Sequence, residues 1–325
     1  SEHSKSGFVN TKYEVLNQQN NTNTEIGCAC PVEVIPYPTK SPKGPPLDID
    51  FDTDFNFLTI AMMGPRKNLE TTIKGFIEEF RDQENIGLII KTNTGRSSVM
   101  DRLRTKSSLE ALIPNFGEKK CKIYLIHGDL SESEIHSLYT HPKVKAYVTT
   151  THGEGYGLPV FEAAYSGLPV IATDWSGHLD FLTGDLKGKQ KKLFARVECD
   201  IKQVQSAAVW KDIIAAESRW AYVKEVSFKS QLRKVHSNHG MYKKWAASLQ
   251  KEIIATHKLD DILDQYLVSI FGTSETTREL PISEIRTKAL AITNVKERAK
   301  FAKEVVSGDI SQTDKVEFLK DLFKG

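Results

Sequence analysis

Two alternating rhythms of apolar residues run along the first two thirds of the chain. Short runs dense in aliphatic and β-branched residues, "FNFLTIAM", "IGLIIKT", "CKIYLIHG", "VKAYVTT" and "LPVIAT", predict buried strands. Between them the spacing predicts helices from Asn68 to about Gln83, near Ser97 to Leu112, from about Ser131 to Tyr139, and from Leu158–Pro159 to Tyr165. The last of these opens on Pro159, which is pre-set for a first helical turn, and stops at Ser166-Gly167. Strands alternating with helices predict an α/β fold with a doubly wound parallel sheet. Ligands of such sheets bind outside the carboxyl ends of the strands. The loops "MGPRKN", "TNTG", "IHGD", "TTHGEGYG" and "TDWSGH" each follow a strand and are expected together at that edge.

The flanking regions read differently. Residues 1 to about 40 predict an incomplete α/β piece: a helix from Glu2 to Gln18, a polar loop, and a strand in "CPVEVIPYP". Five of the twelve prolines fall within residues 36 to 46, which marks a linker. From Ile201 onward amphipathic spacing predicts helices, with Trp210, Trp220 and Trp245 as packing anchors, and residues 282 to 323 predict two or three short helices. The resulting division is 1–40 (remnant piece and linker), 41–200 (the sheet), 201–274 (helices packing on it) and 275–325 (a helical tail). The tail carries ten basic and nine acidic side chains, which reads as a solvated surface.

Composition narrows the function classes. At 325 residues, with 39% hydrophobic and 26% charged residues, the chain has ordinary globular content. Its 44 basic against 42 acidic residues give a duplex nucleic acid no global electrostatic support, so a phosphate site has to be local. No apolar run approaches the roughly 20 residues of a membrane helix and no signal peptide is visible, so a cytoplasmic location is expected. The chain opens at "SEHSKSGF" without a methionine, so targeting is not judged from this start. Cys28, Cys30, Cys121 and Cys199 show no disulfide framework and read as thiols in a reducing compartment. The sequon Asn20-Asn21-Thr22 reads as chance.

Candidate chemistry concentrates in "THGEGYGLPVFEAAYSGLPV". A glycine loop entering a helix lets backbone N–H groups approach an anion at the positive end of the helix dipole. Lys67 and Arg66, at another strand-to-helix loop, suit a diphosphate, as a point charge and a fork respectively. The bland alternative is a solvated helix start. Glu154 and Glu162 do not suit phosphate, but carboxylates accept bonds from sugar hydroxyls; alternatively Glu162 only favours a helix start. His236 and His239 have ligand spacing without a third partner and read as a surface helix pair. His152 and His178 either touch the ligand or cap loops.

"EGYGLPVFEAAYSGLPVIATDWSG" resembles the Glu, seven residues, Glu signature of retaining GT-B glycosyltransferases. "FLTIAMMGPRKNLETTIKGF" is similar to that family's strand, Arg-Lys-Asn loop and helix, and "IYLIHGDLSESEIHSLYTHPKVKAYVTTTHGEG" to the elements leading into the glutamates. The resemblance runs over roughly residues 1 to 260. It implies the Rossmann-like carboxyl-terminal half of a GT-B enzyme, followed by a helical extension, without the bulk of the half that binds acceptor. By the same resemblance Lys67 and Arg66, with Gly64 in their loop, bind the donor diphosphate, and Gly155, Tyr156, Gly157 and Leu158 present backbone N–H groups to it. Glu162 holds the ribose, Glu154 contacts the transferred sugar, His127 and Gly128 lie at the base, and His152 lies near the cleft. Where the family commonly has an arginine, at Met62 or Met63, there is none, and Arg66 substitutes.

The implied function is metal-independent, retaining transfer from a nucleotide-sugar donor to a sugar, glycan or lipid acceptor, with no cofactor beyond the donor. Peripheral membrane contact would come through the absent half. The rivals are a non-catalytic nucleotide-sugar-binding or assembly subunit, and an epimerase or phosphorylase on the same fold. Asp48, Asp50, Asp52 and Asp54 could chelate a metal as Asp-x-Asp does in the other large glycosyltransferase fold. They alternate in a proline-rich linker, which favours solvated charges.

Overall fold

The computed structural model describes residues 1–17, 22–186, 188–211 and 213–271. The expected tail from 275 to 325 and the sequon's Asn20 and Asn21 lie outside the described residues. The chain forms two compact units, Ser1–Cys30 with Lys40–Ala255, and Pro31–Thr39 with Thr256–Gly325.

The first unit opens with helix α1 (Glu2–Asn10) and an antiparallel hairpin of β1 (Lys12–Asn17) and β2 (Thr22–Gly27). The helix expected to run to Gln18 therefore stops at Asn10. Thr11 turns extended at φ −84°, ψ 127°, and "KYEVLN" alternates polar and apolar residues as a strand does. The expected strand in "CPVEVIPYP" is absent; prolines 31, 36 and 38 cannot donate to a ladder, and the pairing partner is "TNTEIG" instead.

The five apolar runs become β3 (Phe55–Ile60), β4 (Ile86–Lys91), β5 (Lys122–Ile126), β6 (Val144–Val148) and β7 (Val170–Thr173). The helices between them are α2 (Leu69–Phe80), α3 (Val99–Leu112), α4 (Glu132–Thr140) and α5 (Leu158–Tyr165). After the short hairpin of β8 (Thr183–Asp185) and β9 (Gln190–Lys192) comes β10 (Ala195–Val197), which joins the edge of the sheet. The sheet has six strands in the order β10-β7-β6-β3-β4-β5, and every pair is parallel. Alternate residues of each strand feed two cores. Phe57, Leu88, Ile90, Val148 and Ile171 pack with Ile73, Phe76, Ile77 and Phe80 of α2 on one face. Leu58, Ile89, Tyr147, Val170 and Ala172 pack with Leu138 of α4 and Val160, Phe161 and Ala164 of α5 on the other. Coverage of both faces is what makes the sheet doubly wound and its strands nearly continuous in apolar residues.

The winding fixes the position of the site. From β3 the chain steps to β4 and β5, then returns past β3 to place β6 on its other side. The direction reverses between β3 and β6, so the helices that follow these two neighbours, α2 and α5, lie on opposite faces and a crevice opens at the strands' carboxyl ends.

Beyond β10 the expectation of helices from Ile201 is overturned only as far as Val223, and helices follow from Glu225. Residues Cys199–Gln203 (β11) and Arg219–Val223 (β12) pair antiparallel, because "CDIKQ" alternates and "RWAYV" is rich in strand-forming residues. Trp210 sits in the connection between them, bridged to Ile214 and 62% exposed, so it anchors nothing. Trp220 is buried and Trp245 packs against both cores, as expected of them. Helices α6 (Glu225–Ser237) and α7 (His239–Thr256) contribute Phe228, Leu232, Val235 and Tyr242 to one core and Leu249 and Ile253 to the other. His236 and His239 are not a surface pair. They are half-buried with their rings edge-on to Phe55, at 4.8 and 5.3 Å between centroids.

In the second unit Thr39 donates from its N–H and its hydroxyl to the His257 carbonyl, at 2.8 and 3.1 Å, and α8 (Leu259–Phe271) buries Ile262 and Leu267. No helix among the described residues is long and apolar enough to cross a membrane.

Candidate functional site

Two loops meet at the crevice. Residues 61–68 leave β3 through a 3-10 turn over Pro65–Lys67, in which Lys67 N donates to the Gly64 carbonyl, and residues 149–157 leave β6. They are joined by a ladder of hydrogen bonds that uses Asn68 and the threonine run. Asn68 Nδ2 donates to the Thr150 carbonyl and Thr150 Oγ1 donates back to the Asn68 carbonyl, both at 3.0 Å. His152 N donates to the Arg66 carbonyl at 2.8 Å, and Thr151 Oγ1 lies 3.2 Å from the same oxygen. Asn68 adopts a left-handed φ of 53° to make this junction, a conformation asparagine tolerates better than most residues.

The ladder aims three charges at one point. Lys67 Nζ lies 2.6 Å from Glu154 Oε1 and Arg66 Nη1 lies 2.9 Å from Oε2. Thr151 Oγ1 also lies 2.9 Å from Oε1, so its one proton serves either this carboxylate or the Arg66 carbonyl. The Glu154 side chain is 9% exposed, against 19% for Lys67 and 45% for Arg66. Burial alone would push the Glu154 carboxyl up, but the Lys67 and Arg66 charges and hydrogen bonds outweigh it and hold the group below its ordinary value. It is an ionised carboxylate between two cations, and the cluster carries one net positive charge.

A third loop, after β7, closes the site. Glu154 N donates to Ser176 Oγ and Gly177 N donates to the Glu154 carbonyl, both at 3.0 Å. The approach is so close that a Cβ on Gly177 would lie 2.0 Å from the Gly155 carbonyl oxygen. His178 is fully buried and its Nε2 donates to the Thr173 carbonyl at 2.7 Å, so it fixes this loop. Gly157 caps α5 at φ 93°, which favours glycine, and α5 has no side-chain cap, leaving its amino end to the loop. Gly155 presents its carbonyl outward to the Ser1 and Ser4 hydroxyls. The Tyr156 side chain does not enter the crevice. It packs on Phe161 and Phe181 at 5.3 and 4.9 Å, and only its backbone is part of the loop. Leu158, the first residue of α5, is exposed.

Glu162 occupies a separate hollow of about 220 Å³, lined among others by Lys40, Ile60, Leu130, Tyr139 and Tyr165. Tyr139 OH donates to its Oε2 at 3.0 Å, yet burial dominates and raises the Glu162 carboxyl above its ordinary value. The two glutamates thus sit in opposite electrostatic settings, one held ionised by cations and the other inclined towards its proton. Glu154, Arg66, Gly153 and Gly155 instead line a larger cavity of about 790 Å³, walled by Trp175, Trp220 and residues of α1 and the hairpin.

The histidines split between positions near the crevice edge and purely structural ones. His127, at the end of β5, binds Asp101 Oδ2 at 3.0 Å, and Asp101 also accepts from Thr94 N and Gly95 N, so this histidine pins the loop after β4. Gly128 follows at φ 112°, and its carbonyl accepts from Lys91 Nζ at 2.7 Å. His152 is buried, donating from Nδ1 to the Ala221 carbonyl at 2.6 Å and stacked on Trp220 at 4.7 Å; burial holds it below its ordinary value and therefore neutral. Of the aspartate run, Asp50 pairs with Lys143 and Asp54 accepts from Asn85. Phe51 and Thr53 between them are buried, so the stretch is a packed edge. Among the described residues no three His, Cys, Asp or Glu side chains stand together to hold a metal ion.

Thr151, Asn68 and Ser176 are absent from the residues expected from sequence, though each touches Glu154 or aligns its loop. Thr151 lies beside the glutamate motif and Ser176 beside Gly177 in "TDWSGH", so loop proximity was the available signal.

Residues 50–189 match the family model described as "Glycosyl transferases group 1". A serotype-specific mannosyltransferase of Escherichia coli, WbdA, is 29% identical over 121 residues, covering 37% of this chain and 13% of that protein. The sucrose-phosphate synthase of Spinacia oleracea is 30% identical over 135 residues, covering 38% of this chain and 12% of that protein. The match therefore spans about an eighth of the length of these relatives. Among solved structures, the C-terminal domain of a glycosyl transferase group 1 family protein (LpcC) from Francisella tularensis aligns at TM-score 0.44 with 19% identity, over 64% of this chain and 88% of that one. A sucrose-phosphate synthase from Thermosynechococcus elongatus aligns at 0.47 with 14% identity, over 70% and 48%.

Proposed function

We propose, on the premise that residues 50–189 are a glycosyl transferases group 1 domain, that this chain binds a nucleotide-sugar and serves the donor side of sugar transfer. One observation carries the reading: Lys67 and Arg66 from the loop after β3 converge on Glu154 from the loop after β6, at the point where the winding of the sheet reverses. That pairing puts two phosphate-seeking cations beside one sugar-seeking carboxylate.

The chemistry follows from the charges. A nucleoside diphosphate leaving group carries more negative charge than the single carboxylate that the two cations now face. Lys67 and Arg66 turn to the phosphates, and the amino end of α5 adds fixed dipoles on the same side. Stabilisation of the departing diphosphate by pre-placed donors lowers the barrier at the anomeric carbon. Glu154, released from its cations, takes the hydroxyls of the transferred sugar, which lies towards the 790 Å³ cavity. The nucleoside lies towards the hollow that holds Glu162, whose carboxyl accepts from the ribose. Retention at the anomeric carbon and independence from metal are part of this proposal.

A panel of UDP-, GDP- and ADP-sugars with thermal unfolding as the readout tests it, since a ligand selective for the folded chain raises its melting temperature. One member of the panel is expected to do so in EDTA. Flat melting temperatures across the panel at millimolar concentration would sink the reading.

A further inference from the structure

Ser176 is one of two non-glycine residues with positive φ among the described residues. At φ 86°, ψ −169° it occupies a region that essentially only glycine enters, whereas Asn68 sits in the milder left-handed well. The adjacent Gly177 shows that glycine is used in this loop where space demands it. What the serine adds is its hydroxyl. Oγ accepts from Glu154 N at 3.0 Å and lies 3.4 Å from His178 Nδ1. His178 Nε2 donates to the Thr173 carbonyl, so in the neutral ring Nδ1 is an acceptor, and Ser176 Oγ donates to it. The hydroxyl is thus oriented from behind, by a fully buried histidine, with a lone pair facing the Glu154 amide.

We propose that Ser176 is a positioning residue for Glu154, keeping a strained backbone in order to hold the glutamate peptide while its carboxylate changes partners. This rests on the reading of the site given above. Glu154 is flanked by Gly153 and Gly155, so its backbone has little stiffness of its own. Its carboxylate has three partners, Lys67, Arg66 and Thr151, and a diphosphate removes the first two. The two backbone bonds across to the β7 loop, to Ser176 Oγ and from Gly177 N, then fix where the carboxylate points. Ser176 touches neither phosphate nor sugar in this arrangement and acts through Glu154.

The test separates strain from positioning in the chain as it stands, using Ser176→Gly and Ser176→Ala. The glycine variant relieves the backbone and is expected to melt above the alanine variant, which keeps the strain and loses the hydroxyl, by on the order of a few degrees. In both variants the Glu154 amide is expected to exchange with solvent at least tenfold faster than in the parent, by NMR and with no ligand present. Calorimetric titration is expected to show Ser176→Gly binding UDP, GDP or ADP as the parent does, while its added affinity for the matching nucleotide-sugar falls about tenfold. Unchanged Glu154 exchange would overturn the proposal, and so would equal losses for diphosphate and sugar donor together with a lowered melting temperature in the glycine variant. A parent that binds no nucleotide but shows the exchange contrast would uphold the positioning role and reject the donor reading.

Discussion

The Lys67 ammonium and the Glu154 carboxylate lie 2.6 Å apart although their loops leave different strands, 87 residues apart in the chain. Glu154 and a bound diphosphate therefore compete for the same cation. Replacing Glu154 with Gln is expected to strengthen binding of a free nucleoside diphosphate severalfold, because a buried competing charge is gone, and to weaken binding of the complete sugar donor. Titration calorimetry with both ligands checks this; losses of equal size for both would mean that Glu154 supports the site only by packing.

The two cations are expected to fail unequally. Lys67 is more enclosed than Arg66, so its charge is less screened by water. Lys67→Met is expected to cost nucleoside diphosphate affinity at least tenfold, and Arg66→Met less. Salt titration distinguishes them further, since the Arg66 contribution is expected to fade first as ionic strength rises.

Glu154 and Glu162 are expected to pull stability in opposite directions with pH. The Glu154 carboxyl is held below its unfolded value of 4.5, so its contribution is present above that value and is lost as pH falls through the folded one. Glu162 is raised above 4.5, so its contribution is complete below that value and is lost as pH rises through the folded one. The melting temperature of Glu162→Gln relative to the parent is expected to rise with pH across the weakly acidic range. That of Glu154→Gln is expected to fall as pH rises through the range below 4.5, and to level off above it. Parallel melting curves at several pH values decide it.

Phe76, buried in the α2 face of the sheet against Phe57 and Phe80, is expected to cost about 3–5 kcal/mol when cut to Ala, measured by urea unfolding. A value below about 1 kcal/mol would show that the face repacks.

The sheet was legible because its strands are buried on both faces: runs such as "IGLIIKT" are apolar whichever way the period is counted, and α2 carries a clear apolar stripe of Leu69, Ile73, Phe76, Ile77 and Phe80. Arg66, Lys67 and Glu154 were legible as candidates, but not their contact, since a pairing across 87 residues depends on β6 lying beside β3. The elements outside the sheet were misread where local signals compete. Residues 12–17 continue a helix-like composition but gain a partner in "TNTEIG", and that pairing decides. Residues 199–223 have apolar spacing compatible with a helix, yet Trp220 and Tyr222 flank His152 only if the segment is extended. The loop that holds Ser176 was legible, but not its strain, because a serine forced into a glycine conformation is visible only in φ and ψ.

On the proposed reading, the crevice between the β3 and β6 loops binds a nucleoside diphosphate through Lys67. Calorimetric titration of UDP, GDP and ADP into the parent chain and into Lys67→Met, in EDTA, addresses it most directly. Saturable binding of one of the three by the parent is expected, with a loss of at least tenfold, about 1.4 kcal/mol, in the variant. Binding of equal strength in both proteins, or no binding of any of the three at millimolar concentration, would contradict it.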